Sequence, residues 1–177
     1  MDWSKAKNII IAVLLAANLL IGANLLGQAA REKQQVRQAA DDAVAFLQQE
    51  GMDITAAVPQ QAEKLPVLFL RLQRTDEEPE ETSFKGLPIV VEPGGVNYEI
   101  AGSGQQAAEV LPASEALLML YAQLSGEGSV KGKEISSIDL VYLLSLEEVS
   151  YAAQDTAVPA WRIRVDGKNY YVSAYKD

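Results

Sequence analysis

Side chains that commonly perform catalysis are scarce in this chain. Its 177 residues include no histidine and no cysteine, which removes the commonest general base, thiol nucleophiles, zinc–thiolate sites and disulfide bonds. Carboxylates, serines and lysines remain. Glu147 and Glu148 are neighbours on a predicted strand, so they point to opposite faces and cannot form an acid–base pair. These residues disfavour an enzyme, and we assign no catalytic residue and no cofactor, although carboxylates converging in a deep cleft would favour an enzyme again.

Two polar stretches are candidates for binding an ion or a phosphate. Residues 75–83, TDEEPEETS, hold five carboxylates, but their spacing is not that of an EF-hand loop and Pro79 interrupts them. Residues 126–133, GEGSVKGK, lack the spacing of a phosphate-binding loop, and Glu134 stands where that motif has Ser or Thr. We predict two solvated loops and no metal site.

The charge balance limits the class of partner. The net charge is −9, and the first 26 residues contribute Lys5, Lys7 and Asp2, so the remainder is more acidic still. An acidic surface disfavours nucleic acid. It also disfavours a domain that lies flat on anionic lipid.

Residues 8–26, NIIIAVLLAANLLIGANLL, contain no charged side chain. As a helix these 19 residues would be about 28 Å long, which matches the hydrocarbon layer of a bilayer. Trp3 is placed to lie at the headgroup level, and Lys5 and Lys7 flank the run. The run exceeds the apolar core of a cleaved signal peptide and no clear A-x-A site follows it, so we predict a retained single-pass anchor.

Within this span, Asn18 and Gly22 are the candidates for contact with a partner helix. Asn18 is near the middle, where an amide needs a hydrogen-bond partner that another helix can supply. Gly22 is one of several small residues that would permit close approach. Asn24 is read more simply as a residue near the interface. The Lys and Arg residues on the two flanks leave the orientation of the span open.

After the span, alternating helical and strand-like patterns predict a folded domain. A helix over 28–50 is polar as far as residue 38, becomes amphipathic from Ala39 and stops at Gly51. A second helix over 114–125 has Ser114 as N-cap and Gly126 as its stop. The remaining segments comprise a linker at 102–109 and predicted strands at 52–58, 66–74, 86–92, 96–101, 135–149, 160–165 and 168–174.

The last two strands carry the clearest local signal. Asp166 and Gly167 between alternating apolar residues predict a two-residue hairpin. This hairpin pairs Trp161 with Val172 on a core face and places Arg162 opposite Tyr171 on the other face, where a cation–π contact is possible.

The predicted fold class is α+β: an N-terminal transmembrane helix followed by two small antiparallel-sheet units, each with a packed helix. The predicted domains are a cytoplasmic tip and anchor at 1–27, a helical stalk at 28–38, a first unit with its linker at 39–109, and a second unit at 110–177.

Three stretches carry a resemblance to a known family. The opening MDWSKAK, the strand IDLVY and the C-terminal VPAWRIRVDGKNYYVSA resemble the YycI (WalI) family, and the last stretch is shared with the related YycH regulators. Val141 departs from the pattern, because the family usually has Gly before this Tyr.

The resemblance implies a non-enzymatic regulator in the cell membrane, with its N-terminus in the cytoplasm and its C-terminal domain outside. It also implies that transmembrane helices bind a WalK-type sensor histidine kinase and a YycH-like protein in a two-component system that controls cell-wall metabolism. The alternatives are an anchored binding module for a cell-wall or peptide ligand and an anchored hydrolase.

Overall fold

The computed structural model describes residue 31 and residues 34–60, 64–73, 82–92, 97–145 and 155–175. The chain divides into two compact units, Met1–Gln38 and Ala39–Asp177. In the first unit, residues 34–38 are helical. No helix within the described ranges is long and apolar enough to cross a membrane. The predicted span at residues 8–26 lies outside those ranges.

Helix α1 covers residues 34–49 and ends in a glycine motif. The Gly51 N–H donates to the Gln48 carbonyl and the Met52 N–H donates to the Leu47 carbonyl, both at 3.0 Å. This pair of bonds is a Schellman motif with Gly51 at C′. Gly51 has a φ of 90°, which glycine adopts without the clash that a Cβ would cause. The predicted stop at Gly51 is confirmed.

The domain that follows contains a second helix and eight described strands. Helix α2 is Ala113–Glu127. The strands are β1 Asp53–Ile54, β2 Lys64–Gln73, β3 Ser83–Phe84, β4 Leu87–Glu92, β5 Asn97–Glu109, β6 Glu134–Ser145, β7 Asp155–Val165 and β8 Lys168–Ser173. The α+β class is therefore correct.

These strands form one mixed sheet with the order β3-β4-β6-β7-β2-β5, in which β1 pairs with β6 and β8 pairs with β7. The prediction of two separate antiparallel units is wrong, because strands from both halves of the domain alternate within this sheet. Strands β1 and β4 run parallel to β6. The chain between β4 and β6 includes β5 and α2, which is long enough for the crossover that parallel strands require.

The hairpin of β7 and β8 has the predicted register. Val165 pairs with Lys168, Ile163 with Tyr170 and Trp161 with Val172. Asp166 and Gly167 both have positive φ, 49° and 82°, as a type I′ turn requires. Strand β6 pairs along the other edge of β7, so β7 is an interior strand of the sheet.

Strand β5 differs most from its sequence signal. Residues 102–109 were expected to be a linker, but they continue the strand that begins at Asn97 and pair with β2. Glycine, alanine and glutamine have weak strand propensity, so this segment is a strand because β2 supplies the pairing. Two register shifts interrupt the ladder between β2 and β5.

Helix α2 supplies much of the buried cluster. Leu117, Leu120 and Leu124 belong to the same core cluster as Trp161 and Tyr142. The predicted caps of this helix are wrong. Pro112 is at the N-cap without a side-chain bond, and Gly128 rather than Gly126 is at the C-cap. Ser114 is in the first turn of the helix and is buried, so it is a packed residue and not the N-cap.

Candidate functional site

The residues that the sequence predicts to contact the membrane or a partner lie outside the described residues. They are Asn18, Gly22, Trp3, Lys5 and Lys7. The Glu147–Glu148 pair and most of the acidic stretch at 75–83 also lie outside. The described domain therefore presents other surfaces, and three of them are candidates for function.

The loop between α2 and β6 is the stretch that superficially matches a phosphate-binding loop. The Gly132 N–H donates to the Gly51 carbonyl at 2.7 Å, and the Lys133 carbonyl accepts from the Asp53 N–H at 2.8 Å. The backbone of this loop is therefore bound to the end of α1 and to β1. A phosphate loop directs its N–H groups at the ligand, so this geometry fits a structural connection.

The second candidate is the sheet face opposite the core, which we call the polar face and define by Glu92, Asp139, Arg162 and Tyr171. Asp139 and Arg162 are directly opposite each other on β6 and β7, with their carboxylate and guanidinium 3.3 Å apart. Tyr171 is opposite Arg162 on β8, as predicted. The guanidinium is thus paired with a carboxylate that the hairpin alone did not reveal.

A hydrogen bond crosses the polar face. The Tyr171 hydroxyl donates to Glu92 Oε1 at 3.0 Å, although β6 and β7 separate the strands that carry these residues. The bond therefore joins side chains from the two sides of the β6–β7 pair. Val141 and Ala160 pair between them and have no exposed surface.

The environment of Tyr171 alters its acidity. Burial raises the pKa of the Tyr171 phenol above its ordinary value of 10.0, and the Glu92 carboxylate that accepts its hydrogen bond raises it further. The positive charge of Arg162 acts in the opposite direction. A phenol with a raised pKa stays protonated and remains a donor at neutral pH, which suits a structural bond rather than a nucleophile.

The four residues that define the polar face therefore form one ion pair and one hydrogen bond. Every buried side-chain nitrogen and oxygen among the described residues has a hydrogen-bond partner. In the same part of the chain, no group of three or more acidic side chains is arranged to hold a metal ion. An arrangement of satisfied pairs stabilises a sheet more readily than it activates a substrate.

The third candidate is on the helices and is apolar. We call it the apolar helix surface and define it by Phe46 on α1 and Leu118, Met119, Tyr121 and Ala122 on α2. Phe46, Leu118 and Met119 are 40%, 42% and 53% exposed, and Ala122 is also exposed. Large apolar side chains grouped on a surface commonly mark an interaction site.

Ring packing and helix spacing join the parts of this surface. The rings of Phe46 and Tyr121 meet edge to face with centroids 5.2 Å apart. Leu118 precedes Tyr121 by three residues and Ala122 by four, and Met119 precedes Ala122 by three, so each is a neighbour on the helix. The Tyr121 hydroxyl donates to Glu50 Oε2 at 2.9 Å, which fixes its ring between the two helices.

The sequence analysis did not identify this surface. The run LLML at residues 117–120 contained the signal. Leu117 and Leu120 fit the buried stripe of α2, whereas the two residues between them are on the other side of the helix. An apolar residue that does not fit the buried stripe was the sequence signal that could have indicated an exposed apolar surface.

Comparisons with protein-family models and with curated proteins find no match to this chain.

Proposed function

We propose that this chain is a membrane-anchored, extracytoplasmic regulator that binds a WalK-type sensor histidine kinase together with a YycH-like protein. The observation that carries the proposal is the uncharged apolar run at residues 8–26, which the predicted stalk at 28–38 separates from a folded domain beginning at Ala39. A run of this length and composition suits a bilayer span. The resemblance of the flanking MDWSKAK and the C-terminal motif to the YycI family supplies the identity of the partners.

The fold supports the resemblance in one respect. The two stretches of the domain that carry it, IDLVY on β6 and VPAWRIRVDGKNYYVSA on β7 and β8, are neighbours in the sheet. Trp161 within the second stretch is 1% exposed. The two stretches are therefore compatible with a structural core common to the YycI family, since their apolar residues include buried core residues of this domain.

Val141, the departure from the family pattern, is buried on the polar face and is not part of the core cluster. It pairs with Ala160 and has no exposed surface. A valine thus fills space that a glycine would leave to its neighbours.

A regulator needs binding surfaces but no reacting groups, and the described residues suit that role. The polar face is defined by an ion pair and a tyrosine–glutamate hydrogen bond, while the apolar helix surface is exposed. In the span, an amide near the bilayer centre gains from an interhelical hydrogen bond worth on the order of 0.6–2 kcal/mol. Asn18 is therefore the first residue that we assign to recognition of the kinase or of the YycH-like protein, with Gly22 allowing close approach.

Co-purification from membranes tests this proposal. Four chains are compared at equal abundance: wild type, Asn18→Leu, Asn24→Leu as the matched control, and a chain whose residues 8–26 are replaced by an unrelated span. We expect Asn18→Leu to capture less kinase or YycH-like protein, Asn24→Leu to behave like wild type, and the span replacement to show the largest loss because packing also contributes.

The outcomes distinguish recognition through the span as a whole from recognition by Asn18. If the span replacement retains partners at the wild-type level, recognition through the membrane is refuted. If the span replacement loses the partners while Asn18→Leu retains them, the helix contact stands and the assignment to Asn18 is wrong.

A further inference from the structure

The helices of the domain carry acidic side chains around an apolar centre. Residues 38–50 and 113–127 contain no lysine or arginine. Acidic residues are spread over both segments, at Asp41, Asp42, Glu50, Glu115 and Glu127. The charged side chains of these two segments therefore have one sign.

Two of these carboxylates are close to the exposed apolar residues. Asp42 precedes Phe46 by four residues on α1, which places them one turn apart on the same side of the helix. Glu115 precedes Leu118 by three residues and Met119 by four, so it is a helix neighbour of both. Asp42 and Glu115 are exposed.

The apolar helix surface is also held in place before any partner arrives. Phe46 packs against Tyr121, and the Tyr121 hydroxyl is bonded to Glu50. Leu118 and Met119 project from the middle of a 15-residue helix whose other side is in the core. A rigid surface loses little conformational entropy when it binds, which favours affinity for its size.

We propose that the apolar helix surface binds a basic amphipathic segment of a partner protein. Apolar residues of that segment cover Phe46, Leu118 and Met119, and its lysines and arginines meet Asp42 and Glu115. An amphipathic helix that lays its apolar face on such a surface is a common recognition mode. This contact is on residues 39–127 and does not depend on the partner proposed for residues 8–26.

Charge decides between this occupant and two others. A second copy of the chain would bring a second set of carboxylates against the first, and like charges across an interface oppose association. An anionic lipid surface would be repelled for the same reason. A basic partner alone gains from both the apolar centre and the acidic surroundings.

The test uses the full-length chain in nanodiscs of phosphatidylcholine, with empty nanodiscs as the background. The probe is a fluorescent amphipathic peptide with leucines on one face and lysines on the other, and a second peptide has glutamates in place of the lysines. Anisotropy reports binding. We expect the lysine peptide to bind wild type, binding to weaken as salt rises, and the glutamate peptide to bind much less.

Matched variants locate the contact. Leu118→Ala and Met119→Ala each remove an apolar anchor, and we expect each to weaken binding about fivefold or more, as a contact worth about 1 kcal/mol does. The control is Ile100→Ala, which removes a similarly exposed apolar side chain on β5. For charge, Asp42→Lys should weaken binding and Glu109→Lys, an exposed residue on β5, should change it less than twofold.

Three results would overturn the proposal. One is equal binding of the lysine peptide to wild type, Leu118→Ala and Ile100→Ala, which would indicate unspecific attraction. Another is equal binding of the two peptides. A third is self-association of the chain that Leu118→Ala abolishes without affecting the peptide, which would assign the surface to a second copy.

Discussion

Trp161 offers the sharpest test of how the domain is held together. Its ring is 1% exposed, and its indole Nε1–H donates to the Leu111 carbonyl at 2.7 Å. Leu111 lies two residues before α2 begins. The same side chain therefore fills the core and anchors the entry to the helix, so its removal should damage both.

The size of the effect follows from these contacts. Replacing a buried tryptophan by alanine costs about 3–5 kcal/mol for the lost contacts and the cavity. Leaving the partly buried Leu111 carbonyl without its donor adds about 1 kcal/mol. A domain of ordinary stability has about 5–15 kcal/mol to lose, so Trp161→Ala should remove a large part of the free energy of unfolding.

Urea unfolding of the full-length chain in mild detergent, followed by circular dichroism, measures this loss. With a slope of about 2 kcal/mol per molar urea, we expect Trp161→Ala to lower the midpoint by about 2–3 M. Trp161→Phe keeps most of the ring but loses the N–H donor, so it should cost about 1–2 kcal/mol. Arg164→Ala, an exposed neighbour on β7, should stay within about 0.5 kcal/mol. A Trp161→Ala chain that unfolds at the wild-type midpoint would refute the burial and the anchoring together.

Two further perturbations have defined signs. Gly51→Ala should destabilise by about 1–2 kcal/mol in the same urea assay, because Gly51 has positive φ and a Cβ would meet Lys131 Cγ at 3.2 Å. Gly126→Ala, inside α2 with open space around it, should be neutral or stabilising; equal losses at the two positions would contradict this. The raised pKa of Tyr171 means that the folded state holds the phenolic proton more tightly. Its contribution to stability is therefore present below about pH 10 and is lost as the pH rises through the folded value. Tyr171→Phe should lose less stability than wild type over that alkaline rise, and an identical decline in both proteins would show that another group is responsible.

Local signals predicted the parts of the fold that depend on nearby residues. The Asp166-Gly167 turn sets the register of β7 and β8, and Gly51 stops α1, because each depends on backbone conformations available mainly to these residue types. Strand β2 was visible from its alternating apolar residues. These features need no knowledge of the rest of the chain.

The features that were missed depend on distant residues. Residues 102–109 form a strand because they pair with β2. Strand β4 lies parallel to β6 because the fold places these two strands side by side. The bond from Tyr171 to Glu92 joins strands that are not adjacent. Neither periodicity nor turn residues encode which strand becomes the neighbour of another.

The candidate surfaces followed the same rule. The opposition of Arg162 and Tyr171 came from the hairpin register, whereas the ion pair with Asp139 required the position of β6. Exposure of Leu118 and Met119 depends on which side of α2 the sheet covers. The sequence shows that an apolar residue does not fit the buried stripe of its helix. The packed structure is needed to show that this residue is exposed.

We propose that this chain modulates a sensor histidine kinase through its span. Its most direct test is the autophosphorylation rate of a WalK-type kinase in proteoliposomes, measured alone, with the full-length chain, and with the chain whose residues 8–26 are replaced. A YycH-like protein is present in all three samples. We expect the full-length chain to change the rate and the replaced chain to leave it at the value of the kinase without the chain. An unchanged rate with the full-length chain, or an equal change with both chains, would contradict the account.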